Sequence, residues 1–309
     1  MNWKPVVVGV DASRESAAAA ALGYEIARAA RTRCVLVHAA RDAWSMFAAL
    51  EVPERVGEFN VALIEQARRQ VADALRGHVP AEVIADLVVR VGPTADVLNA
   101  VAAERDAELI IVGGKRHSTL GRWFGGSTSL AVARTTRVPL LVTAGEARAF
   151  RRVLAAVDLS GAARPTLEAA RRFATLFAAR LRAVSVVEPL PTVPEAPQPI
   201  EASEYYRLSA ELLRREVWPH LGSSGAEGLV RHGVPIDTLL REVHEFGTDL
   251  LVVGSHGKRW ATRLLIGSVT EGLINHLPTS MLVVPVGPVQ HAWEDPLLSA
   301  ADLALPSLT

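Results

Sequence analysis

The sequence predicts two α/β domains in tandem, each built on a doubly wound parallel sheet, and three observations predict it. The chain repeats itself: Val6-Val7-Val8-Gly9-Val10-Asp11-Ala12-Ser13 returns as Val153-Leu154-Ala155-Ala156-Val157-Asp158-Leu159-Ser160, 147 residues on. Val89-Arg90-Val91-Gly92 returns as Val230-Arg231-His232-Gly233, and Leu109-Ile110-Ile111-Val112-Gly113 as Leu250-Leu251-Val252-Val253-Gly254, both 141 residues on. A register held this long marks a duplicated structural unit, with a net difference of six residues confined to its variable middle. Within each copy, short apolar runs alternate with helical stretches, which implies right-handed crossovers and parallel strands. Half of the residues are hydrophobic but only 5% are aromatic, which suits Ala, Val and Leu packing between helices and buried strands rather than a β-sandwich.

Taken in order, the first copy opens with the apolar strand at Val6, followed by an alanine-rich helix over Ser13 to Ala30. A strand over Arg33 to Ala39 leads into a variable segment, then a helix over about Glu58 to Arg76 and a strand over Glu82 to Val91. A helix over Ala95 to Arg105, a strand over Leu109 to Val112, a loop, a short helix and a last strand over Pro139 to Thr143 complete it. The domains are therefore expected at 1–146 and 151–287, joined near Gly145 to Arg151, with a C-terminal tail at 288–309. In the second copy the variable segment Glu188 to Pro199 is dense in proline, which excludes helix and central strand and predicts an extended surface connection. The last strands, Pro139 to Thr143 and Ser280 to Val284, are expected at the sheet edges, where an unpaired apolar edge needs cover, so the two copies are expected to meet there.

Lys plus Arg and Asp plus Glu both total 33, so no basic field exists to gather phosphate backbones, and nucleic acid is not an expected partner. The N-terminal apolar run is too short for a signal peptide and no stretch of 18 apolar residues occurs, so a cytoplasmic protein without a membrane partner is expected. The single cysteine, Cys34, lies in the apolar run Cys34-Val35-Leu36-Val37 and reads as a core thiol. His38 reads as a packing residue at the end of a strand.

The chemistry gathers after the strand Leu250 to Val253. Gly254-Ser255-His256-Gly257 is followed after nine residues by Gly267-Ser268-Val269-Thr270. Gly254 and Gly257 allow the backbone to turn sharply and approach a ligand without a Cβ in the way. Gly267-Ser268 opens the next helix, whose unpaired N–H groups and positive dipole end favour an anion such as a triphosphate. The hydroxyls of Ser268 and Thr270 can add hydrogen bonds or help hold a metal ion. Asp158 ends the first strand of the same copy and opens onto the same edge of the sheet, where a carboxylate can accept from ribose hydroxyls. The plainer readings are a glycine turn with a serine N-cap, and an aspartate that organises its own turn alongside Ser160.

On these residues the sequence resembles the universal stress proteins, in the tandem form with two domains in one chain. The spacing Gly-x-x-Gly, nine residues, Gly-Ser/Thr is fitted by Gly254, Gly257, Gly267 and Ser268. The resemblance implies five-stranded sheets of order 3-2-1-4-5, the adenine nucleotide alpha hydrolase-like fold. It implies ATP as ligand, with or without Mg, touched by Asp158 and by Asp11 in the first copy, with adenine near the strand ends at Val187 and Ala40. The remaining implied contacts are Val253, His256, Val269 and Thr270, and in the first copy Gly113, Gly126 and Ser127. It also implies a homodimer.

The first copy departs from the pattern, since its loop runs Gly113-Gly114-Lys115-Arg116 before Gly126-Ser127. Arg116 thus stands where the second glycine is expected; if that position needs a positive φ, a non-glycine residue costs on the order of 1 kcal/mol, and the side chain also fills phosphate space. Conversely, Lys115 and Arg116 are good phosphate ligands. No base–nucleophile pair stands out, and neither Gly-x-x-x-x-Gly-Lys-Ser/Thr nor Ser-Gly-Gly-x-Asp-Ser occurs. The leading expectation is an ATP-binding regulator of the stress-response type with slow or no hydrolysis. A nucleotide-free interaction scaffold and an ATP-dependent transferase or ligase remain as alternatives.

Overall fold

The computed structural model describes residues 3–40, 56–114, 128–145, 149–189, 201–222, 225–257 and 266–286. In the first half the elements are β1 (Val6–Gly9), α1 (Arg14–Ala30), β2 (Cys34–Ala40), α2 (Val56–Leu75), α3 (Ala81–Ala85), β3 (Val88–Val91), α4 (Thr94–Glu104), β4 (Leu109–Gly114), α5 (Thr128–Thr135) and β5 (Leu140–Ala144). The second half repeats the order with β6 (Arg152–Ala156), α6 (Ala163–Phe177), β7 (Arg180–Val187), α7 (Ala202–Leu212), β8 (Glu227–His232), α8 (Pro235–Phe246), β9 (Leu250–Gly254), α9 (Ser268–His276) and β10 (Ser280–Val284). Between α7 and β8 the helix winds down through a wide π turn at Leu213–Val217 and a 3-10 turn at Trp218–Leu221.

The strands form one sheet of ten in the order β3-β2-β1-β4-β5-β10-β9-β6-β7-β8. Each half is parallel throughout and has the order 3-2-1-4-5. The seam between halves is antiparallel, with Met281 opposite Val142, Leu282 opposite Leu141 and Val283 opposite Leu140. The backbone N–H of Ala144 also donates to Ser280 Oγ across the seam, at 3.0 Å. Beside it, Arg134 on α5 pairs with Glu271 on α9 at 2.9 Å, and Arg172 on α6 pairs with Glu108 at 2.9 Å while stacking over Trp3 at 4.2 Å.

Local chemistry explains why the elements begin and end where they do. The Ser13 hydroxyl accepts from the N–H of Ser16 and caps α1, and Arg31 closes the helix in a left-handed conformation. Pro235 starts α8 with its φ already helical, and Gly247 ends it at φ +61°. The strands are apolar at consecutive positions because helices cover both faces of the sheet. Val6, Val7 and Val8 are all fully buried, Val6 and Val8 in one core layer and Val7 in the other.

One element differs from the sequence reading. The stretch expected as a strand from Glu82 to Val91 begins instead as α3, and only Val88–Val91 extend. Pro80 sets this up: its carbonyl accepts from the N–H of Val83 and Ile84 at 3.1 and 3.2 Å, winding one helical turn that packs both side chains against the core. The proline-dense segment beyond Pro189 and the tail from 288 lie outside the described residues.

Two results are expected from this packing. Gly23 lies in the middle of α1, and a Cβ there would stand 2.4 Å from Cγ2 of the buried Val8. Gly23→Ala is therefore expected to destabilise the protein by about 1–3 kcal/mol through overpacking, read as a lower urea midpoint at unchanged slope. Burial pushes the Cys34 thiol up to about 12, so alkylation at pH 8 should be slow in the native protein and fast once urea unfolds it.

Candidate functional site

Parallel strands buried on both faces leave only their ends open, and β6 and β9 are neighbours in register, with Ala156 opposite Val253. The chain leaving β6 and the chain leaving β9 therefore emerge side by side at the carboxyl edge of the sheet. This juxtaposes Asp158 and Gly257. A Cβ added to Gly257 would stand 2.6 Å from Asp158 Oδ2, so the loop lies directly against the carboxylate.

The reason for glycine at 257 is this approach and not backbone conformation. None of Gly254, Gly257 or Gly267 adopts a positive φ, so the expected strain penalty for another residue does not arise, and the steric penalty remains. Gly254 is similarly crowded: its Cβ would meet Ala162 Cβ at 3.0 Å and Thr166 Oγ1 at 3.3 Å. Gly267 is buried and holds the loop closed, its N–H donating to the Ser255 carbonyl at 2.8 Å while its own carbonyl receives the N–H of Glu271.

Ser255, which the sequence reading left out, is the residue that fixes the loop. Its N–H donates to the Val284 carbonyl at 2.8 Å, and its hydroxyl oxygen accepts from the N–H of Val286 at 3.0 Å. The same hydroxyl shares a hydrogen bond with His256 Nδ1, 2.9 Å away. His256 Nε2 is buried and has no partner among the described residues. A buried polar atom without a partner costs free energy unless something arrives to bond it. Burial also holds the imidazole below its ordinary 6.5, so it is neutral at pH 7.

The other expected positions fall as follows. Ser268 is exposed at the first turn of α9 and Val269 is half-buried beside it, while the N-cap is Gly267 rather than a serine. Thr270 is buried and its hydroxyl donates to the Gly254 carbonyl at 2.8 Å, which ties helix to loop. Val253 is buried in β9. Asp158 also organises its own turn, because Ser160 Oγ donates to Oδ1 and in turn accepts from the N–H of Ala162. Its Oδ1 thus serves the turn, while its Oδ2 is the oxygen nearest Gly257. Val187 ends β7, buried, with its carbonyl accepting from Gly233 N–H at 3.2 Å and one lone pair left over.

In the first half, Asp11 is exposed and its Oδ1 accepts from the N–H and hydroxyl of Ser13. Ala40 is buried at the end of β2, its carbonyl bonded to Gly92 N–H at 3.1 Å. His38 Nδ1 bonds the Val10 carbonyl at 2.7 Å, in keeping with a packing role. A Cβ on Gly113 would stand 2.9 Å from the backbone of Glu15, which explains that glycine by close packing. Lys115, Arg116, Gly126 and Ser127 lie outside the described residues. Among the described residues no group of three or more His, Cys, Asp or Glu side chains is placed to hold a metal ion, and no helix is long and apolar enough to cross a membrane.

Comparison with known proteins gives a consistent answer. The model of the universal stress protein family matches twice, over residues 2–144 and 149–285. A universal stress protein of Mycolicibacterium smegmatis is 29% identical over 301 residues, covering 90% of this chain and 96% of that one. The crystal structure of a universal stress protein from Archaeoglobus fulgidus superposes with a TM-score of 0.62 at 17% identity, covering 92% of this chain and 98% of that one, which shows the shared fold. A shorter universal stress protein, solved in complex with cAMP, aligns with 46% of this chain and all of its own at 24% identity and a TM-score of 0.34.

The lowered His256 basicity has a measurable sign. The neutral ring is favoured by folding, so its contribution to stability is complete above 6.5 and is lost as the pH falls through the lower midpoint of the native ring. Titration of the ring followed by NMR is expected to give a midpoint below 6.5, and His256→Gln should remove that part of the acid destabilisation.

Proposed function

This chain belongs to the universal stress protein family, and from that premise we propose that it is an ATP-binding regulatory protein whose nucleotide site lies in the second half. The observation that carries the reading is the cradle at the carboxyl edge, where the Asp158 carboxylate lies against Gly257 with 2.6 Å left for a Cβ. A ribose is a suitable partner for the carboxylate, which accepts from its hydroxyls. The N-terminus of α9, with Ser268 exposed in its first turn, suits the phosphates, since free N–H groups and the helix dipole both favour anions. The unpartnered Nε2 of His256 is one further polar atom at the same edge. Mg2+ would ride chiefly on the phosphate oxygens, as it commonly does.

Binding sets conformation or assembly in this proposal, and hydrolysis is slow or absent. The protein acts in the cytoplasm as a homodimer in a stress response. The first half is the weaker nucleotide site, because Arg116 replaces the glycine that in the second half admits Asp158 so closely.

Calorimetric titration with ATP tests the site. Asp158→Ala is expected to weaken binding roughly ten- to a hundred-fold, the usual cost of losing a hydrogen bond to a charged acceptor. Gly257→Ala is expected to weaken it measurably by displacing the Asp158 carboxylate, and Gly257→Arg to abolish it while leaving the circular dichroism spectrum unchanged. Unchanged affinity and stoichiometry in Gly257→Arg would show the assignment to be wrong and favour a nucleotide-free scaffold.

A further inference from the structure

The opposite, amino edge of the second half carries a different kind of site. Where β7 and β8 begin, a cleft of about 370 Å³ opens between the end of α6, the end of α8 and the two strands. Arg171, Arg180 and Arg182 line it together, over a floor of small side chains that includes Ala174 and Ala178. The guanidiniums of Arg182 and Arg180 stand over the Phe246 ring at 4.3 and 5.9 Å. Such stacking orients a guanidinium without using its in-plane donors. Arg182 pairs with Glu227 at 2.9 Å. Arg171 and Arg180 have no carboxylate partner among the described residues.

The plainer account is that cations gather where helices end. Both α6 and α8 do point their C-termini here, closing at Ala178 and Gly247. A helix end is worth about half a charge, however, and Arg152 already lies over α8, its guanidinium 2.9 Å from the position of a Cβ on Gly247. Against Arg171, Arg180, Arg182 and Arg152 stand two half-charges, Glu227 and Asp249, whose carboxylate accepts from the N–H of Arg152, which leaves an excess of about one positive charge. The full set belongs to this half. Allowing for the repeat offset, Arg180 has its counterpart in Arg33, but Tyr24, Val35 and Arg105 occupy the positions of Arg171, Arg182 and Phe246 in the first half, so the set as a whole is not a requirement of the fold.

We propose that this cleft binds a small polyanion, a molecule with at least two phosphate or carboxylate groups, held by Arg171 and Arg180 with Arg182 as the fixed wall. Guanidinium forks match both groups bidentately, and the volume suits a molecule of pyrophosphate or citrate size. The site is independent of the nucleotide reading, being formed at the other end of the strands.

The test is calorimetric titration of the full chain at low salt with pyrophosphate and, separately, with citrate, each repeated in Gly257→Glu, whose carboxylate repels anions from the carboxyl edge. One site per chain is expected, retained in Gly257→Glu and weakened roughly tenfold or more in the Arg171→Ser/Arg180→Ser double variant. Thr175→Glu, which adds a negative charge on the cleft wall while keeping every arginine, should weaken it as well and serves if the double variant does not fold. Tighter binding of pyrophosphate identifies a phosphorylated ligand, and tighter binding of citrate a polycarboxylate. Absence of binding by either anion to the unaltered chain, or binding that both cleft variants leave unchanged, overturns the proposal.

Discussion

A parallel strand covered by helices on both faces can be reached only at its ends, and this constraint governs where the protein can do anything. Val6, Val7 and Val8, or Leu140, Leu141 and Val142, are inaccessible at every position. Polar and charged groups are therefore displaced to the two edges of each half-sheet, where backbone groups run out of partners and helix ends bring dipoles. At the carboxyl edge the strand ends meet helix N-termini, and the local field is positive by virtue of the backbone. At the amino edge they meet helix C-termini, and a positive field has to be supplied by side chains. The Asp158–Gly257 cradle, beyond the ends of β6 and β9, and the arginine cleft, where β7 and β8 begin, are the two outcomes of one architecture seen from opposite edges of the half-sheet.

The duplicated register was legible from residues alone because strands buried on both faces tolerate little drift, and three apolar runs with their terminal glycine or aspartate kept their spacing. The helical turn at Ala81–Ala85 was not legible, since a short apolar run carries no period to tell strand from helix, and the deciding signal was the carbonyl of Pro80. At the loop, the possibility of a left-handed backbone at the second glycine is not what the structure shows, and steric room is. Gly257 is required by the nearness of Asp158, a contact between residues 99 positions apart that only the pairing of β6 with β9 creates. Ser255 carried no signal at all, because its work is done through backbone atoms and a hydroxyl that any polar residue in a loop offers.

The two halves have also diverged in what they ask of the same positions. Each first strand is followed by an aspartate, with a serine two residues later that bonds it, yet Asp11 is exposed and Asp158 lies half-buried against the loop after β9. The duplicated scaffold keeps the turn while the exposure of its carboxylate differs. Two ion pairs cross between halves: Arg134 with Glu271 is largely exposed and contributes little, and Arg172 with Glu108 is better shielded beside the apolar seam.

The antiparallel seam has a consequence for how the chain comes to be folded during synthesis. β5 and β10 are the last strands of their halves, so the partner of Leu141 is Leu282, made almost half the chain later. At ordinary ribosomal rates that interval is on the order of ten seconds, during which a nearly finished first half presents a bare apolar edge. An edge of this kind templates association with any other strand that reaches it first, including the same strand of a second nascent chain. Sequestration of that edge by the trailing half thus makes timing, and not only affinity, part of what keeps the protein out of aggregates.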